Sequence, residues 1–357
     1  MKCLPLAAFL LAAALAPVAP SQSPATYRRA LPGYQWQFPR DQGAHPAFAN
    51  EWWYFTGNLA SADGRRRFGF EVTFFRISPS PGAALDHDLY FTHFAISDLS
   101  RHTYAFWTRA RRGDWSQAGA SPTPATLHLW NENWAATFDA AGPRQLQAAW
   151  GPMLLDLSLQ PGPRMLNGKA GYSQKGAAAG EASYYYSLPH ITAHGSVDGV
   201  AVSGLAWMDH EFASDQLDPN QQGWDWLGLH LAHGDLMLFN LRQRSGARDP
   251  HSAGTWLPSG GKPVALSAVS FTMQPLRRWN GYPIAWRVRV PPLGLDFTVS
   301  AALDSQLLHD PAMGVSYWEG AVTVAGVPGG PPAAGVGYLE LTGYGRPFTL
   351  LQSPAGH

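Results

Sequence analysis

Residues 204–231, GLAWMDHEFASDQLDPNQQGWDWLGLHL, decide how this chain divides. An apolar strand ends near the start of the stretch, and a second strand opens at Gly223 with two tryptophans close together. Residues 213–222 between them are polar, contain Pro219 and have no apolar rhythm, so they do not form an interior strand. We interpret them as a linker between two β domains, residues 50–212 and residues 223–352.

Strand alternation divides the side chains before the linker into two faces. Trp207, Asp209 and Glu211 lie on one face, and Met208 and His210 lie on the other. If the first face looks into a closed barrel, an acid sits beside an indole in a nearly dry cavity. This is the most chemically suggestive local arrangement in the sequence.

Composition limits the classes of function. The chain has 357 residues, which is enough for two domains with full cores. The formal net charge is zero and only 14% of residues are charged, so no basic surface is available to bind nucleic acid. Aromatic residues make up 13% of the chain and include 15 tryptophans, which suits barrels with ring-filled interiors.

The N-terminus has the features of a secretory signal. Lys2 precedes an apolar run over residues 4–15, and small residues follow. This pattern predicts a signal peptide of residues 1–21, cleaved near Ser21, and a periplasmic or secreted protein. The run is too short to span a bilayer, and no other segment is long and apolar enough, so we do not expect an integral membrane protein.

The mature chain is expected to begin with an extended lead-in, residues 22–49. The single cysteine, Cys3, lies within the predicted signal. The mature protein would then contain no disulfide, no zinc-thiolate site and no cysteine nucleophile.

The rest of the chain reads as short strands separated by turns, which predicts an antiparallel all-β fold. Residues 50–59 and 68–77 alternate around an Asp63-Gly64 turn, and this predicts a hairpin. Residues 224–242 repeat the plan with a tighter turn. Such a long-period duplication predicts two like domains, in which Trp207 and Glu340 occupy equivalent places.

Four ordered motifs together resemble a known family. They are Glu51-Trp52-Trp53-Tyr54, Met208-Asp209-His210-Glu211-Phe212, Gly223-Trp224-Asp225-Trp226 and Gly337-Tyr338-Leu339-Glu340-Leu341-Thr342-Gly343-Tyr344. They are similar to motifs of the AttH / carotenoid 1,2-hydratase family, and the resemblance covers nearly all of the mature chain. It implies two tandem antiparallel lipocalin-like β-barrels that bind isoprenoid or other lipid-like molecules. In the hydratase branch, the acid of the Asp-His pair is thought to protonate an alkene without a cofactor, and Asp209 is the matching position.

Asp209, His210 and Glu211 are therefore the candidate catalytic residues. An aromatic-lined cavity raises the pKa of a carboxyl group, and the protonated acid can protonate an alkene whose cation an indole stabilises. The alternative is that Asp209 accepts backbone N–H groups and fixes the joint between the domains. The candidate ligand-binding residues are Glu51, Trp52, Trp53, His93, Trp207, Trp224, Trp226 and Glu340.

The histidines have no spacing typical of metal ligands, so no metal site is predicted. His93 and His210 lie in apolar strands and are expected to be satisfied core residues. An alternative metal site at Asp209, His210 and Glu211 would have ligands that point in two directions from one strand.

Three glutamates also stand in otherwise apolar strands, where an unpaired buried carboxylate is costly. They are Glu51, Glu319 and Glu340. They either pair with Arg76 or Arg242 or face a ligand.

Two classes of function remain open from the sequence. The first is a cofactor-independent hydratase or hydrolase-like enzyme that acts on an apolar substrate. The second is a periplasmic lipid carrier or chaperone, with an ABC transporter permease as the partner that the AttH resemblance implies. An acid with a raised pKa in a water-accessible pocket favours the enzyme, and a pocket lined only by apolar groups favours the carrier.

Overall fold

The computed structural model describes residues 26–114, 116–121, 126–311 and 314–345, so the predicted signal peptide lies outside the described residues. Within these ranges the chain forms strands and no α-helix, and the all-β prediction is confirmed. Four short 3-10 helices are present, at Arg40–Gln42, Leu85–His87, Ala268–Ser270 and Pro291–Leu293. No helix of this described part is long and apolar enough to cross a membrane.

The first sheet is antiparallel and has 13 strands. They are β1 Asn50–Ala60, β2 Arg67–Ile77, β3 Leu89–Asp98, β4 Thr103–Arg112, β5 Ala118–Ala120, β6 His128–Asn131, β7 Trp134–Asp139, β8 Gly142–Trp150, β9 Met153–Gln160, β10 Met165–Leu166, β11 Tyr172–Gln174, β12 Ala182–Val197 and β13 Val200–Ala213. The strand order is β4-β3-β2-β1-β13-β12-β9-β8-β7-β6-β5, and β10 and β11 pair with β12.

The second sheet is also antiparallel and has 10 strands. They are β14 Gln221–Leu231, β15 Gly234–Gln243, β16 Ala253–Pro258, β17 Val264–Ser267, β18 Thr272–Trp279, β19 Tyr282–Val290, β20 Leu295–Ala301, β21 Leu307–Asp310, β22 Val315–Gly326 and β23 Ala334–Leu341. The strand order is β17-β16-β15-β14-β23-β22-β20-β19-β18, and β21 pairs with β22.

The two sheets share a local plan. The β1–β2 hairpin turns at Asp63-Gly64, where Gly64 has a φ of +66°, a conformation that glycine adopts readily. The β14–β15 hairpin opens the second sheet in the same way, with a shorter turn. On its other side β1 pairs with β13, and β14 pairs with β23. β13 ends at Ala213 and β14 begins at Gln221. The domain limits at residues 212 and 223 stay predictions.

Each sheet curls into a near-barrel, and the predicted pair of tandem lipocalin-like barrels is confirmed. Large side chains fill both interiors, because alternate residues of each strand point to the same side. The first interior contains Trp53, Phe55, Phe70, Trp134 and Met208. The second contains Leu227, Ile284, Trp286, Phe297 and Trp318. These ten side chains are almost completely buried, so both interiors are packed cores.

Candidate functional site

The two sheets meet along a seam that is lined by aromatic side chains. Tyr54 and Trp207 of the first sheet pack there against Trp226 and Tyr338 of the second. The ring of Trp226 lies edge-on to Tyr54 at 5.3 Å and edge-on to Trp207 at 5.9 Å between centroids. The face of β13 that carries Trp207 and Asp209 therefore looks out of the first barrel towards the second, and not into a barrel interior.

A cavity lies in this seam. It has about 720 Å³ of atom-free space including its open mouth, and its interior is narrow. Aromatic and apolar side chains form most of the wall, together with a few acidic and basic groups. The lining residues are Trp52, Tyr54, Thr73, Phe75, Lys175, Tyr185, Asp209, Glu211, Gln216, Leu217, Trp224, Trp226, Phe239, Leu241, Tyr317 and Glu340.

Asp209 is the best-defined polar group of the cavity. Its Oδ2 accepts a hydrogen bond from the Tyr185 hydroxyl at 2.5 Å, and its Oδ1 accepts from Ser187 Oγ and from Trp207 Nε1, both at 2.6 Å. Trp226 Nε1 in turn donates to the Tyr185 hydroxyl at 3.1 Å, so both sheets hold this carboxyl group. Burial raises the pKa of Asp209 to about 7, although the three donors oppose the shift.

These contacts bear on the two roles considered for Asp209. All three donors are side-chain groups, whereas a residue that fixes the joint would accept backbone N–H groups. A carboxyl group with a pKa near 7 exists in both protonation states near neutral pH, which is the condition for a general acid that must also accept a proton.

Glu211 and Lys175 form an ion pair at the same cavity. Lys175 Nζ lies 3.1 Å from Glu211 Oε1, and both side chains are less than a tenth exposed. Ser183 also donates a hydrogen bond to Glu211. The Lys175 ammonium lies 4.0 Å from the centroid of Phe239, within the range of a cation–π contact. This pair places a positive and a negative charge at the aromatic wall.

Three glutamates cluster in the seam, of which Glu71 and Glu319 are buried and Glu340 is partly exposed at the cavity wall. Glu319 and Glu340 are cross-strand partners on β22 and β23, and Glu71 approaches them from β2. Burial raises the pKa of Glu71 and of Glu340 to about 8, and it raises the pKa of Glu319 well above its usual range. Near neutral pH these carboxyl groups therefore carry protons.

Of the two arginines considered as partners for the glutamates, one pairs with a glutamate and the other pairs with an aspartate. Arg76 Nε lies 2.8 Å from Glu51 Oε2 within the first barrel. This is one of the ion pairs that the sequence offered for the glutamates. Arg242 pairs instead with Asp225, at 3.1 Å.

The structure brings six of the sequence-predicted residues to the cavity wall. They are Trp52, Asp209, Glu211, Trp224, Trp226 and Glu340. Trp207 supports the wall from behind through its hydrogen bond to Asp209. His93 lies one residue away, because its Nδ1 is 2.5 Å from the hydroxyl of Tyr317, which lines the cavity. Burial lowers the pKa of His93 to about 3, so its imidazole is neutral.

The other three predicted residues, Glu51, Trp53 and His210, lie on the opposite face of the same strands, away from the cavity. The imidazole of His210 stacks on Trp53 at 4.7 Å, and its Nε2 is 2.8 Å from Glu51 Oε1. Trp53 donates its indole N–H to the carbonyl of Gln42. Strand alternation explains the separation, since these residues and those of the cavity wall differ by one position in β1 and β13.

Several groups around Asp209 are absent from the sequence prediction. Tyr185 and Ser187 come from β12 and Lys175 follows β11, all remote in sequence from the motif that carries Asp209. The one local signal is the run Tyr184-Tyr185-Tyr186 in an apolar strand. Alternation along that run would still not tell which tyrosine faces the seam.

Comparison with known proteins assigns the fold to a family. The AttH-like family model matches residues 29–344. The chain belongs to the AttH-like family. A comparison with curated proteins finds no match.

Two solved structures share this architecture. The structure of a putative AttH from Nitrosomonas europaea is 32% identical in sequence, with a TM-score of 0.77 over 89% of this chain and 99% of that one. A kievitone hydratase from Nectria haematococca is 14% identical, with a TM-score of 0.67 over 90% of this chain and 98% of that one. At this identity the second likeness concerns the fold alone.

Proposed function

We propose that the seam cavity binds a slender apolar chain that carries an alkene, and that the protein adds water to this alkene without a cofactor. The observation that carries the proposal is the environment of Asp209. It is a buried carboxyl group with a pKa of about 7 in a narrow, largely aromatic cavity. Charged groups also line that cavity, which favours an enzyme over a passive carrier.

The chemistry follows from ordinary acid catalysis. The protonated Asp209 transfers its proton to one alkene carbon, and the π electrons form the new C–H bond. The cation left on the more substituted carbon is stabilised by the aromatic wall, in which Trp52, Trp224 and Trp226 are the largest rings. The oxygen of a water molecule bonds to the cation, and the released proton returns to the Asp209 carboxylate. The net change is the addition of one water molecule.

The hydrogen bonds to Asp209 serve the intermediate state. Between the two proton transfers Asp209 is an anion in a buried site, and Tyr185, Ser187 and Trp207 donate to it. These bonds strengthen when the acceptor is charged, so they stabilise the ion pair of carboxylate and carbocation.

A kievitone hydratase has the same fold, so the architecture is compatible with a hydratase site.

From the N-terminal sequence we further propose that the chain is exported. The resemblance to AttH proteins leads us to propose an ABC transporter permease as its partner. N-terminal sequencing of exported protein should then begin near Gln22.

The test is a comparison of turnover and binding in one pair of proteins. The wild type and Asp209→Asn are incubated with isoprenoid and unsaturated acyl alkenes in ¹⁸O-labelled water, and mass spectrometry follows the incorporation of one labelled oxygen. We expect Asp209→Asn to lose about 10²–10⁴-fold in turnover, because the amide has no acidic proton to deliver. Binding, measured by quenching of tryptophan fluorescence, should remain.

Asp225→Asn is the matched control. Asp225 is also fully buried, but it does not line the cavity, and its partners are Arg242, Asn240 and Tyr344. Its turnover per folded molecule should equal that of the wild type. Saturable binding with no labelled product from any alkene would reject the hydratase and leave the carrier. Equal turnover in Asp209→Asn would reject this residue as the acid.

A further inference from the structure

Two histidines and an aspartate that the proposed reaction does not use meet where the two barrels join. His190 lies in β12, His230 lies near the end of β14, and Asp235 lies at the start of β15. His230 Nδ1 is 2.7 Å from Asp235 Oδ1, and His190 Nδ1 is 3.3 Å from Asp235 Oδ2. One ligand atom from each residue lies within 4.8 Å of the others. Both imidazoles therefore converge on one carboxylate from different sheets.

A break in strand pairing places His190 in this cluster. The register between β12 and β13 shifts between Leu188 and Ile191, a segment that contains Pro189 and His190. Such a bulge re-aims the side chain that it carries, and here the imidazole reaches the second sheet. The ring centroids of His190 and His230 are 5.9 Å apart with the rings nearly perpendicular.

The spacing suits a tetrahedral metal ion. Two donors about 2.1 Å from a zinc ion lie roughly 3.4 Å apart in a tetrahedron. The separation of His190 Nδ1 from Asp235 Oδ1, 3.4 Å, already matches this value. The separation of His230 Nδ1 from the same oxygen must widen by roughly 0.7 Å, which a small rotation of either side chain provides. The ligand atoms of the two histidines lie within 4.8 Å of each other, so they must approach by at most roughly 1.4 Å.

The cluster has two buried ligands and one ligand that is open to solvent. The side chains of His230 and Asp235 are 6% and 8% exposed, so packing holds them in place. The side chain of His190 is 49% exposed, so an ion can reach the cluster from the solvent side. With three protein ligands, one position of a tetrahedron remains for water.

A second trio of possible ligands provides a contrast. His45, Glu51 and His210 also place ligand atoms within 4.8 Å of one another. The guanidinium of Arg76 already lies 2.8 Å from Glu51. Both of these side chains are completely buried. A further cation there would be repelled by the arginine and would have to be fully desolvated. Of these two clusters in the described part of the chain, the one at the barrel junction is open to solvent and has no arginine paired with its carboxylate.

We propose that His190, His230 and Asp235 bind one divalent transition-metal ion of the zinc type, which links the two barrels. Imidazole and carboxylate ligands suit this class of ion. The link also supports the cavity wall, because the His230 ring lies 6.0 Å from Trp207, whose indole N–H holds Asp209.

The test uses the full mature chain without a histidine tag, stripped of metal with a chelator. Isothermal titration with ZnCl₂ should show one equivalent bound per chain, and Co²⁺ should give the visible absorption of a tetrahedral complex. His190→Ala should weaken Zn²⁺ binding by at least ~100-fold, since it removes one of three ligands. Zinc should raise the melting temperature of the wild type and leave that of His190→Ala unchanged.

His251→Ala is the matched control. His251 Nδ1 lies 2.9 Å from Asp249 Oδ1, and no third ligand joins this His–Asp pair among the residues that the structure describes. It should bind one zinc as the wild type does. His190 is half-exposed, so its replacement is compatible with folding, and circular dichroism checks this. Equal zinc binding by the wild type and His190→Ala would overturn the proposal, as would the absence of saturable binding in the wild type.

Discussion

The replacement Asp209→Asn should change how the stability of the protein depends on pH. The pKa of Asp209 is raised to about 7 from 3.8, chiefly by burial. Between these two values the unfolded chain releases the proton of this carboxyl group while the folded protein retains it. The unfolded state then binds fewer protons than the folded state, so the free energy of unfolding falls as pH rises.

The size of this effect follows from the pKa difference. About three pKa units separate the two states, and one unit corresponds to about 1.4 kcal/mol. The wild type should therefore lose ~4 kcal/mol of stability through this group between pH 4 and pH 7.5. The asparagine variant has no proton to release, so its stability relative to the wild type should rise by about that amount over the same window.

Urea unfolding of both proteins at intervals from pH 4 to pH 9 measures the difference. Asp296→Asn is the control, because a hydrogen bond from Arg287 holds the pKa of Asp296 below its usual value. Both states of Asp296 are ionised above pH 5 and its arginine partners stay charged, so its replacement should give an offset that does not vary with pH. If Asp209→Asn instead loses stability relative to the wild type as pH rises, Asp209 is an anion that ties the joint, and the general-acid reasoning is wrong.

Three further outcomes are expected. Lys175→Met should destabilise the protein by about 3–5 kcal/mol in urea unfolding, because it leaves the buried Glu211 without its cation. Adding Glu211→Gln should recover most of this loss, and a loss below ~1 kcal/mol for Lys175→Met would contradict a desolvated pair. Glu71→Gln should gain at least ~1 kcal/mol on the wild type between pH 5 and pH 9, since the pKa of Glu71 is raised to about 8 and its ionisation opposes folding; a pH-independent difference would count against this. Trp224→Ala should weaken the binding of a fluorescent polyene fatty acid about 10-fold, because Trp224 lines the cavity. Trp53→Ala should reduce the free energy of unfolding by about 3–5 kcal/mol and leave binding by the folded protein unchanged, because Trp53 lies in the barrel core. The reverse pattern would place the ligand site inside the barrel.

The relation of the cavity to the barrels depends on tertiary structure. Alternation in residues 207–211 separates Asp209 and Glu211 from His210, and the structure retains this separation. Alternation does not say which face is the barrel core, because both faces carry large apolar residues, such as Trp207 on one and Phe212 on the other. The face with Asp209 is buried only because the second barrel packs against it, which no local pattern specifies.

The register of β12 shows the same limit on a smaller scale. At the turn of the β12–β13 hairpin Val197 pairs with Val200, and extending that register without interruption would place Tyr185 opposite Phe212. The shift between Leu188 and Ile191 instead places Tyr185 opposite Glu211, on the face of Asp209. A one-residue shift moves every side chain beyond it to the other face of the sheet.

The sequence by itself therefore determined the strands, the division into two barrels and the acid with its indole neighbour, because alternation, turn residues and motif order are local properties of the chain. Only the tertiary structure decided that Tyr185 and Ser187 donate to Asp209, and that Glu340 of the second barrel shares its cavity. The physical reason is that these contacts join strands far apart in sequence, and a bulge and the packing of one barrel on the other set their geometry.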